Sequence, residues 1–174
     1  IRVVDLDRDG IDDVYLADCC GCTRDFGHQG IAFSFAAGLG APRELWRRVR
    51  AGGSCVSVRT VAWIDDDPSP ELIGYQLDDV VVVDGATGDE EYLRPSIPGG
   101  LLGPRFDAVD IDGDGRQEIF VHNFFYQANG DRGGPAIHLL DFDPASRQIV
   151  LRWSFAAADR LRDQLAAPDD SVAD

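Results

Sequence analysis

One acidic pattern occurs twice in nearly the same form, and it constrains the fold more than any other feature of the sequence. Residues 5–13 read DLDRDGIDD and residues 110–118 read DIDGDGRQE, so both have the form Asp-x-Asp-x-Asp-Gly-x-x-acid. A degenerate copy, WIDDDPSPE at residues 63–71, has acids at its third, fifth and ninth positions but has Trp63 at the first and Pro68 at the sixth. We name these segments the first loop (5–13), the middle loop (63–71) and the third loop (110–118). Such repetition predicts an array of similar structural units.

The segments around each loop have the composition of strands. They are rich in β-branched and aromatic residues, and Gly, Pro and Asp separate them, as turns require. Four strands per unit are predicted, at 1–6, 13–17, 31–36 and 44–49, at 56–64, 72–77, 80–84 and 90–93, and at 106–111, 119–126, 136–142 and 148–155. The sequence therefore predicts an all-β fold made of three four-stranded antiparallel blades of a partial β-propeller, at about 1–50, 56–94 and 106–155.

The end of the chain breaks this pattern. In residues 156–167, AAADRLRDQLAA, Leu161 and Leu165 stand four apart among good helix formers, which predicts a short amphipathic helix. Pro168 ends it, and an acidic tail follows to residue 174. We expect one repeat domain over 1–155, with the helix and tail at 156–174 outside it.

The loops have the chemistry of a cation site. Ca²⁺ prefers hard oxygen ligands. The loop offers carboxylates at its first, third, fifth and ninth positions and a backbone carbonyl at its seventh, and the Gly at its sixth position permits a sharp bend. An EF-hand is excluded, because its twelfth position requires Glu and holds Leu16 or Val121 here. The alternative is an acidic turn whose Asp side chains cap backbone amides without an ion.

Two Ca²⁺ ions are expected, one in each well-preserved loop. The predicted ligands of the first loop are Asp5, Asp7, Asp9, the Ile11 carbonyl and Asp13. Those of the third loop are Asp110, Asp112, Asp114, the Arg116 carbonyl and Glu118. In the middle loop Asp65, Asp67 and Glu71 are weaker candidates, since Trp63 cannot ligate through its side chain.

Over about residues 1–155 the chain resembles the FG-GAP (VCBS) repeats of integrin-like β-propellers, on the strength of these loops and their strand context. The resemblance implies calcium loops between the first two strands of each blade, an extracellular setting and a ring of six to eight blades. Three blades cannot close a ring, and open sheet edges invite pairing. We therefore expect either a piece of a longer propeller or a chain that completes one with a partner or a copy of itself.

The four cysteines leave several interpretations open. Cys19, Cys20 and Cys22 are clustered and Cys55 stands alone. A disulfide in an oxidising compartment is the preferred interpretation, and four thiols allow three complete pairings. Zinc bound by three of these cysteines with His28, or buried free thiols, are the alternatives.

Long Gly-rich loops are predicted on the face opposite the acidic loops, where a rigid scaffold commonly carries binding residues. The candidates are Arg24, Asp25, Phe26, His28, Phe125, Tyr126, Asn129, Asp131 and Arg132. Ordinary surface loops are the alternative. Trp46, Trp63 and Trp153 are interpreted as core or blade-packing residues rather than as a sugar platform, and His122 and His138 as packed or surface residues.

The composition of the chain argues against several classes of function. With 31 acidic and 16 basic residues the formal net charge is −15, which argues against nucleic-acid binding. No apolar run approaches the ~18 residues of a membrane span. The chain opens without Met or a signal-peptide pattern, so any targeting segment is expected to have been removed or to lie outside this sequence.

No nucleophile elbow, phosphate loop or zincin motif occurs, so no catalysis is expected. The sequence thus predicts a secreted, periplasmic or cell-surface calcium-binding module for binding, adhesion or assembly, whose partner is a protein, the remaining blades or a glycan. The alternatives are the propeller part of a secreted polysaccharide-active enzyme and an accessory subunit of a large envelope complex.

Overall fold

The computed structural model describes residues 1–18, 28–50, 56–76, 79–92, 97, 104–123 and 136–156. This part of the chain is all-β and contains no helix. The strands are β1 (Arg2–Val4), β2 (Asp13–Asp18), β3 (His28–Ser34), β4 (Arg43–Arg50), β5 (Ser57–Ala62), β6 (Glu71–Gln76), β7 (Asp79–Asp84), β8 (Arg105–Val109), β9 (Glu118–Asn123), β10 (Ala136–Asp143) and β11 (Gln148–Ala156).

These strands form three antiparallel sheets in chain order. Sheet 1 is β1-β2-β3-β4, sheet 2 is β5-β6-β7, and sheet 3 has the order β11-β10-β9-β8. Each acidic loop joins the first two strands of its sheet. For the described residues, the prediction of an all-β fold with one antiparallel unit around each loop is therefore confirmed.

Two predicted elements differ from the structure. Of the fourth strand of the second unit, predicted at 90–93, the structure describes residues 90–92, and these form a single bridge, between Val83 and Glu90. The predicted helix was expected to begin at Ala156, but Ala156 is the last residue of β11, where it pairs with Ala136. The rest of the predicted helix and the acidic tail lie outside the described residues.

Sheet 2 lies between the other two sheets, and its sequence shows this. Successive side chains of a strand point to opposite faces. In the run of four valines in β7, Val81 and Val83 pack with residues of sheet 1, and Val80 and Val82 pack with residues of sheet 3. All four are buried, because both faces of this sheet are covered.

The interface between sheets 1 and 2 is held by Trp46 of β4. Its indole Nε1 donates to the Gly85 carbonyl at 2.7 Å, in the turn that follows β7. A Cβ added to Gly88 in the same turn would lie 2.5 Å from Trp46 Cε3, and Gly88 has a positive φ of 76°. Only glycine fits this close approach without strain. Between sheets 2 and 3, Tyr75 stacks on Phe106 with ring centroids 6.3 Å apart.

The three tryptophans differ in burial. Trp46 is 8% exposed and belongs to the core, as predicted. The core prediction is wrong for the other two, since Trp63 is 46% exposed and Trp153 is 49% exposed. Trp63 stands at the first position of the middle loop, at the tip of its hairpin. Trp153 stacks on Phe155 along β11, at the edge of sheet 3.

Candidate functional site

The three acidic loops share one set of hydrogen bonds. In each, the ninth acid accepts the backbone amide of the second residue and so closes the loop. These bonds join Leu6 N to Asp13 Oδ2 (2.8 Å), Ile64 N to Glu71 Oε2 (3.0 Å) and Ile111 N to Glu118 Oε2 (2.8 Å). The ninth acid therefore has a structural role in all three loops, including the degenerate middle loop.

The acids at the third and fifth positions are oriented in the same way in all three loops. Each accepts the amide two residues further along with its Oδ1 atom. The pairs are Asp7 with Asp9 N (3.2 Å), Asp65 with Asp67 N (2.8 Å), Asp112 with Asp114 N (3.1 Å), Asp9 with Ile11 N (2.9 Å), Asp67 with Ser69 N (2.7 Å) and Asp114 with Arg116 N (2.9 Å). These are Asx-turn bonds, so the loop fixes its own carboxylates without an ion.

The first position separates the middle loop from the other two. In the first and third loops the first Asp accepts the amide of the sixth residue. The bonds are Gly10 N to Asp5 Oδ2 (3.0 Å) and Gly115 N to Asp110 Oδ2 (3.0 Å). In the middle loop Trp63 offers no acceptor and Pro68 has no N–H, so acceptor and donor are lost together.

The backbone φ angles also separate the middle loop from the first and third loops. Gly10 and Gly115 have positive φ values of 86° and 93°, and the fourth-position residues Arg8 and Gly113 have 62° and 79°. Pro68 cannot adopt such a φ. The middle loop therefore has a different local conformation, which agrees with the weaker expectation for a cation there.

The third loop brings all four of its predicted carboxylates together. Asp110, Asp112, Asp114 and Glu118 each offer an oxygen, and these oxygens lie within 4.8 Å of one another. Glu118 is buried beneath three exposed aspartates, and burial is the main cause that raises its pKa. A cluster of four carboxylates at this spacing is strongly repulsive unless a cation or protons neutralise it.

The first loop brings together three of its four predicted carboxylates. Asp5, Asp7 and Asp13 have oxygens within 4.8 Å of one another, and Asp9 is not part of this group. Arg43 of β4 lies beside the cluster, with Nη2 3.1 Å from Asp7 Oδ2.

The surroundings of Asp13 show whether the first loop suits a cation. The side chain is completely buried, and Oδ2 accepts the amides of Leu6 and Asp7. Its Oδ1 is buried without a hydrogen bond of normal geometry. Desolvation is the main cause that raises the pKa of Asp13, and the charge of Asp7 adds to it, while the backbone amides and the Ser34 hydroxyl offset part of the rise. A buried carboxylate oxygen of this kind suits a cation ligand.

The remaining predicted ligands are the seventh-position carbonyls of Ile11 and Arg116. Their amides bond to the fifth-position acids, and use of their carbonyl oxygens as ligands stays a prediction. The Arg116 side chain contacts Asp114 within its own loop and reaches Asp66 of the middle loop at 3.1 Å. Gln117 N also donates to the Trp63 carbonyl at 2.7 Å, so the third loop is bonded to the middle loop.

The middle loop takes part in a different acidic group that sequence reasoning missed. Oxygens of Asp65, Glu71 and Glu91 lie within 4.8 Å of one another, and those of Asp67, Asp84 and Glu91 form a second such group. Asp84 is the last residue of β7, and Glu91 follows the turn after this strand. Both lie outside the loop pattern, so its spacing could not identify them. The three predicted residues of this loop are thus divided between two groups, each completed by Glu91.

Glu71 is the least solvated acid of this group. It is completely buried and its Oε1 has no hydrogen-bond partner. Burial, with a contribution from Asp65 and Glu91, raises the pKa of Glu71 to about 9, and burial raises the pKa of Glu91 to about 7. Without a cation, Glu71 is therefore protonated at neutral pH. A cleft of about 200 Å³ adjoins this group, lined by Asp65, Asp66, Asp67, Phe142, Pro144 and Arg147.

Most residues of the predicted binding face and all four cysteines lie outside the described part of the chain. These are Cys19, Cys20, Cys22, Arg24, Asp25, Phe26, Cys55, Phe125, Tyr126, Asn129, Asp131 and Arg132. The backbone of His28 is described as the first residue of β3. The disulfide, zinc and ligand-face interpretations therefore stay predictions.

Within the described residues we find no helix with the length and hydropathy needed to cross a bilayer. Several acidic groups of the chain could hold a metal ion. No protein-family model matches the chain, and no curated protein or solved structure shows significant similarity to it.

Proposed function

We propose that this protein is a non-catalytic calcium-binding β-propeller module of the FG-GAP type that serves binding, adhesion or assembly outside the cytoplasm. The observation that carries the proposal is the group formed by Asp110, Asp112, Asp114 and Glu118, with their oxygens within 4.8 Å of one another. The related group of the first loop, at the same positions of an equivalent hairpin, supports it.

The donor set favours calcium over other metals. All of the converging side chains in these two loops are carboxylates, which suit hard cations, whereas zinc and copper sites usually include His or Cys. Calcium accepts six to eight oxygens in irregular geometry, and carboxylates, a carbonyl and water can provide them. Magnesium demands a stricter octahedral arrangement and loses its water reluctantly.

The role of the ion would be structural. A cation in the third loop removes the repulsion among its carboxylates and fixes a loop that is already bonded to the middle loop through Arg116 and Gln117. It therefore stabilises the contact between sheets 2 and 3. Any ligand that binds only the folded state adds RT ln(1 + [L]/Kd) to the free energy of unfolding.

The propeller assignment is supported by the way the sheets pack. Each sheet belongs to one repeat, and neighbouring repeats pack face to face through apolar cores. In propellers such blades repeat around an axis. An extracellular setting suits such sites, because extracellular calcium modules bind Ca²⁺ with Kd values of about 10⁻⁴–10⁻³ M.

Calcium binding and thermal unfolding test the proposal together. Equilibrium dialysis at about 5 mM Ca²⁺ should find two bound ions, and chelator should lower the melting temperature. Asp112→Asn should remove one ion. Asp12→Asn is the matched control, since it removes the same charge from an exposed loop position that belongs to no convergent group. Absence of bound calcium, or equal losses in both variants, would overturn the proposal.

A further inference from the structure

The two interfaces between sheets are built from equivalent positions, which makes it possible to identify a third face of the same kind. We call the face that each sheet turns toward the next sheet in the chain its leading face, and the opposite one its trailing face. The leading face contains Leu6, Tyr15, Ala32 and Trp46 in sheet 1, Ile64, Ile73 and Val82 in sheet 2, and Ile111, Phe120, Leu139 and Trp153 in sheet 3. These residues are matched by their loop positions and by strand register.

The second residue of each acidic loop shows what covers the leading face. Leu6 is 0% exposed and packs in the core between sheets 1 and 2, and Ile64 is 1% exposed between sheets 2 and 3. Ile111, which holds the equivalent position in sheet 3, is 55% exposed. The difference is not one of residue type, since all three are large aliphatic side chains. It arises because no further sheet packs on sheet 3 among the described residues.

Trp46 and Trp153 give the same comparison. Trp46 pairs with Ala32 and Trp153 pairs with Leu139, and in both sheets a register shift follows directly after the third-strand partner. Trp46 is nevertheless 8% exposed against 49% for Trp153. Sheet 3 therefore carries a copy of the residue that sheet 1 inserts into the turn of its neighbour.

A complementary face is uncovered at the other end of the array. The trailing face of sheet 1 contains Val3, Val14, Leu16 and Phe33, which share a face by register. Val3 is 61% exposed, and the others are partly exposed. The matching residues Leu72 and Ile119 of sheets 2 and 3 are completely or almost completely buried.

We propose that sheet 3 of one molecule packs its leading face on the trailing face of sheet 1 of a second copy. The proposal extends an interface that already occurs twice within the chain, and a second copy presents the trailing face that a leading face requires. The turn between β3 and β4 would receive Trp153 as the turn after β7 receives Trp46. Gly38 in that turn has open space around it and a positive φ of 96°.

Such a contact is head-to-tail, so an open dimer retains one free face of each kind, whereas a closed ring of copies retains none. Head-to-tail association produces either closed rings or a growing series of oligomers. This inference goes beyond the proposed function and does not need a bound cation. The association is therefore measured both in calcium and in chelator. If the protein binds no calcium, the proposed association is not contradicted.

Sedimentation velocity of the whole chain at roughly 10–500 µM tests the association, a range suited to interfaces of ordinary affinity. We expect the mean mass to rise with concentration. Trp153→Lys should weaken association about tenfold or more, because buried tryptophans often dominate interfaces. Trp63→Lys is the matched control, since Trp63 is 46% exposed but lies outside the leading face. If Trp153→Lys lowers the melting temperature, Ile111→Lys replaces it.

Mixing two blocked variants tests the direction of the contact. A Trp153→Lys chain keeps only its trailing face, and a Val3→Lys, Leu16→Lys chain keeps only its leading face. Each should be monomeric alone, and together they should form a one-to-one dimer and nothing larger. A monomer at every concentration, association unaffected by Trp153→Lys, equal loss with Trp63→Lys, or no dimer on mixing would each overturn the proposal.

Discussion

The Glu71 carboxylate accepts the backbone amide of Ile64 at 3.0 Å, in a loop that has lost the first acid and the glycine of its repeat. The equivalent bonds close the two well-preserved loops. The ninth acid thus closes the loop even where the first position is not acidic, so its bond to the second-position amide does not depend on the first acid.

Glu71→Ala should destabilise the protein, whereas Glu71→Gln should not. Alanine leaves the buried Ile64 amide without an acceptor, at a cost of about 1–3 kcal/mol in the free energy of unfolding. Glutamine keeps an amide oxygen that can accept this bond and, like the protonated acid, carries no charge. Urea denaturation at neutral pH in chelator measures both. Equal destabilisation by the two substitutions would show that the hydrogen bond is not what matters.

Stability without calcium should fall as pH rises. The folded pKa of Glu71, about 9, lies above its ordinary value of 4.5, and that of Glu91 is about 7. The favourable contribution of a protonated Glu71 is complete below pH 4.5 and is lost as pH rises through about 9. The slope for one such group is at most about 1.4 kcal/mol per pH unit. Denaturation midpoints across this range should show a flatter dependence for Glu71→Gln, and an unchanged slope would exclude Glu71 as the source.

The first and third loops should respond differently to loss of their fifth acid. Asp114 belongs to the convergent group of the third loop, whereas Asp9 lies outside that of the first loop. Asp114→Asn should therefore weaken calcium binding at its loop as much as Asp112→Asn does, and Asp9→Asn should weaken it less than Asp7→Asn. Calorimetric titration of the four variants, with Asp12→Asn as the charge control, decides this. A larger loss from Asp9→Asn than from Asp7→Asn would contradict the geometry.

Arg43→Ala should raise the calcium affinity of the first loop. The Arg43 guanidinium lies 3.1 Å from Asp7 Oδ2, so it competes with a cation for that carboxylate. Because this pair is exposed, the gain should be small, a few-fold at low salt, and should shrink as salt screens the charges. Arg59→Ala removes an exposed arginine that bonds to Tyr75 instead and serves as the control. Lower affinity in Arg43→Ala would refute the competition.

Gly88→Ala should cost more stability than Gly38→Ala. Both residues have positive φ, so both substitutions strain the backbone by about 1–2 kcal/mol. Only at Gly88 does the new Cβ collide with Trp46, while Gly38 has open space around it in the single molecule. Thermal and urea unfolding of dilute protein give the difference, which measures how closely Trp46 packs. Matching losses at the two positions would mean that this contact adds nothing.

Local chemistry made the hairpins predictable. Each Asp-x-Asp-x-Asp loop is flanked by β-branched and aromatic residues, so its position between two strands followed from the sequence. The bonds that orient Asp7 and Asp112 join them to amides two residues away, which only the alternative interpretation, an acidic turn without an ion, predicted. The middle loop was also recognisable as different, because Trp63 and Pro68 remove one acceptor and one donor. All of these interactions join residues fewer than ten positions apart.

Long-range packing decided which side chains are buried and which acids have a raised pKa. Trp46 and Trp153 occupy equivalent places in equivalent strands, yet one is buried and the other half exposed, because burial depends on whether another sheet covers that face. Glu91 meets Glu71 only because β7 returns beside β6, and desolvation there sets the pKa of both. The sequence by itself determined the repeating unit and its loop geometry, since these arise from bonds within a few residues. Only the tertiary structure decided which faces and which acids lose contact with water, because solvation depends on neighbours that are distant in the chain.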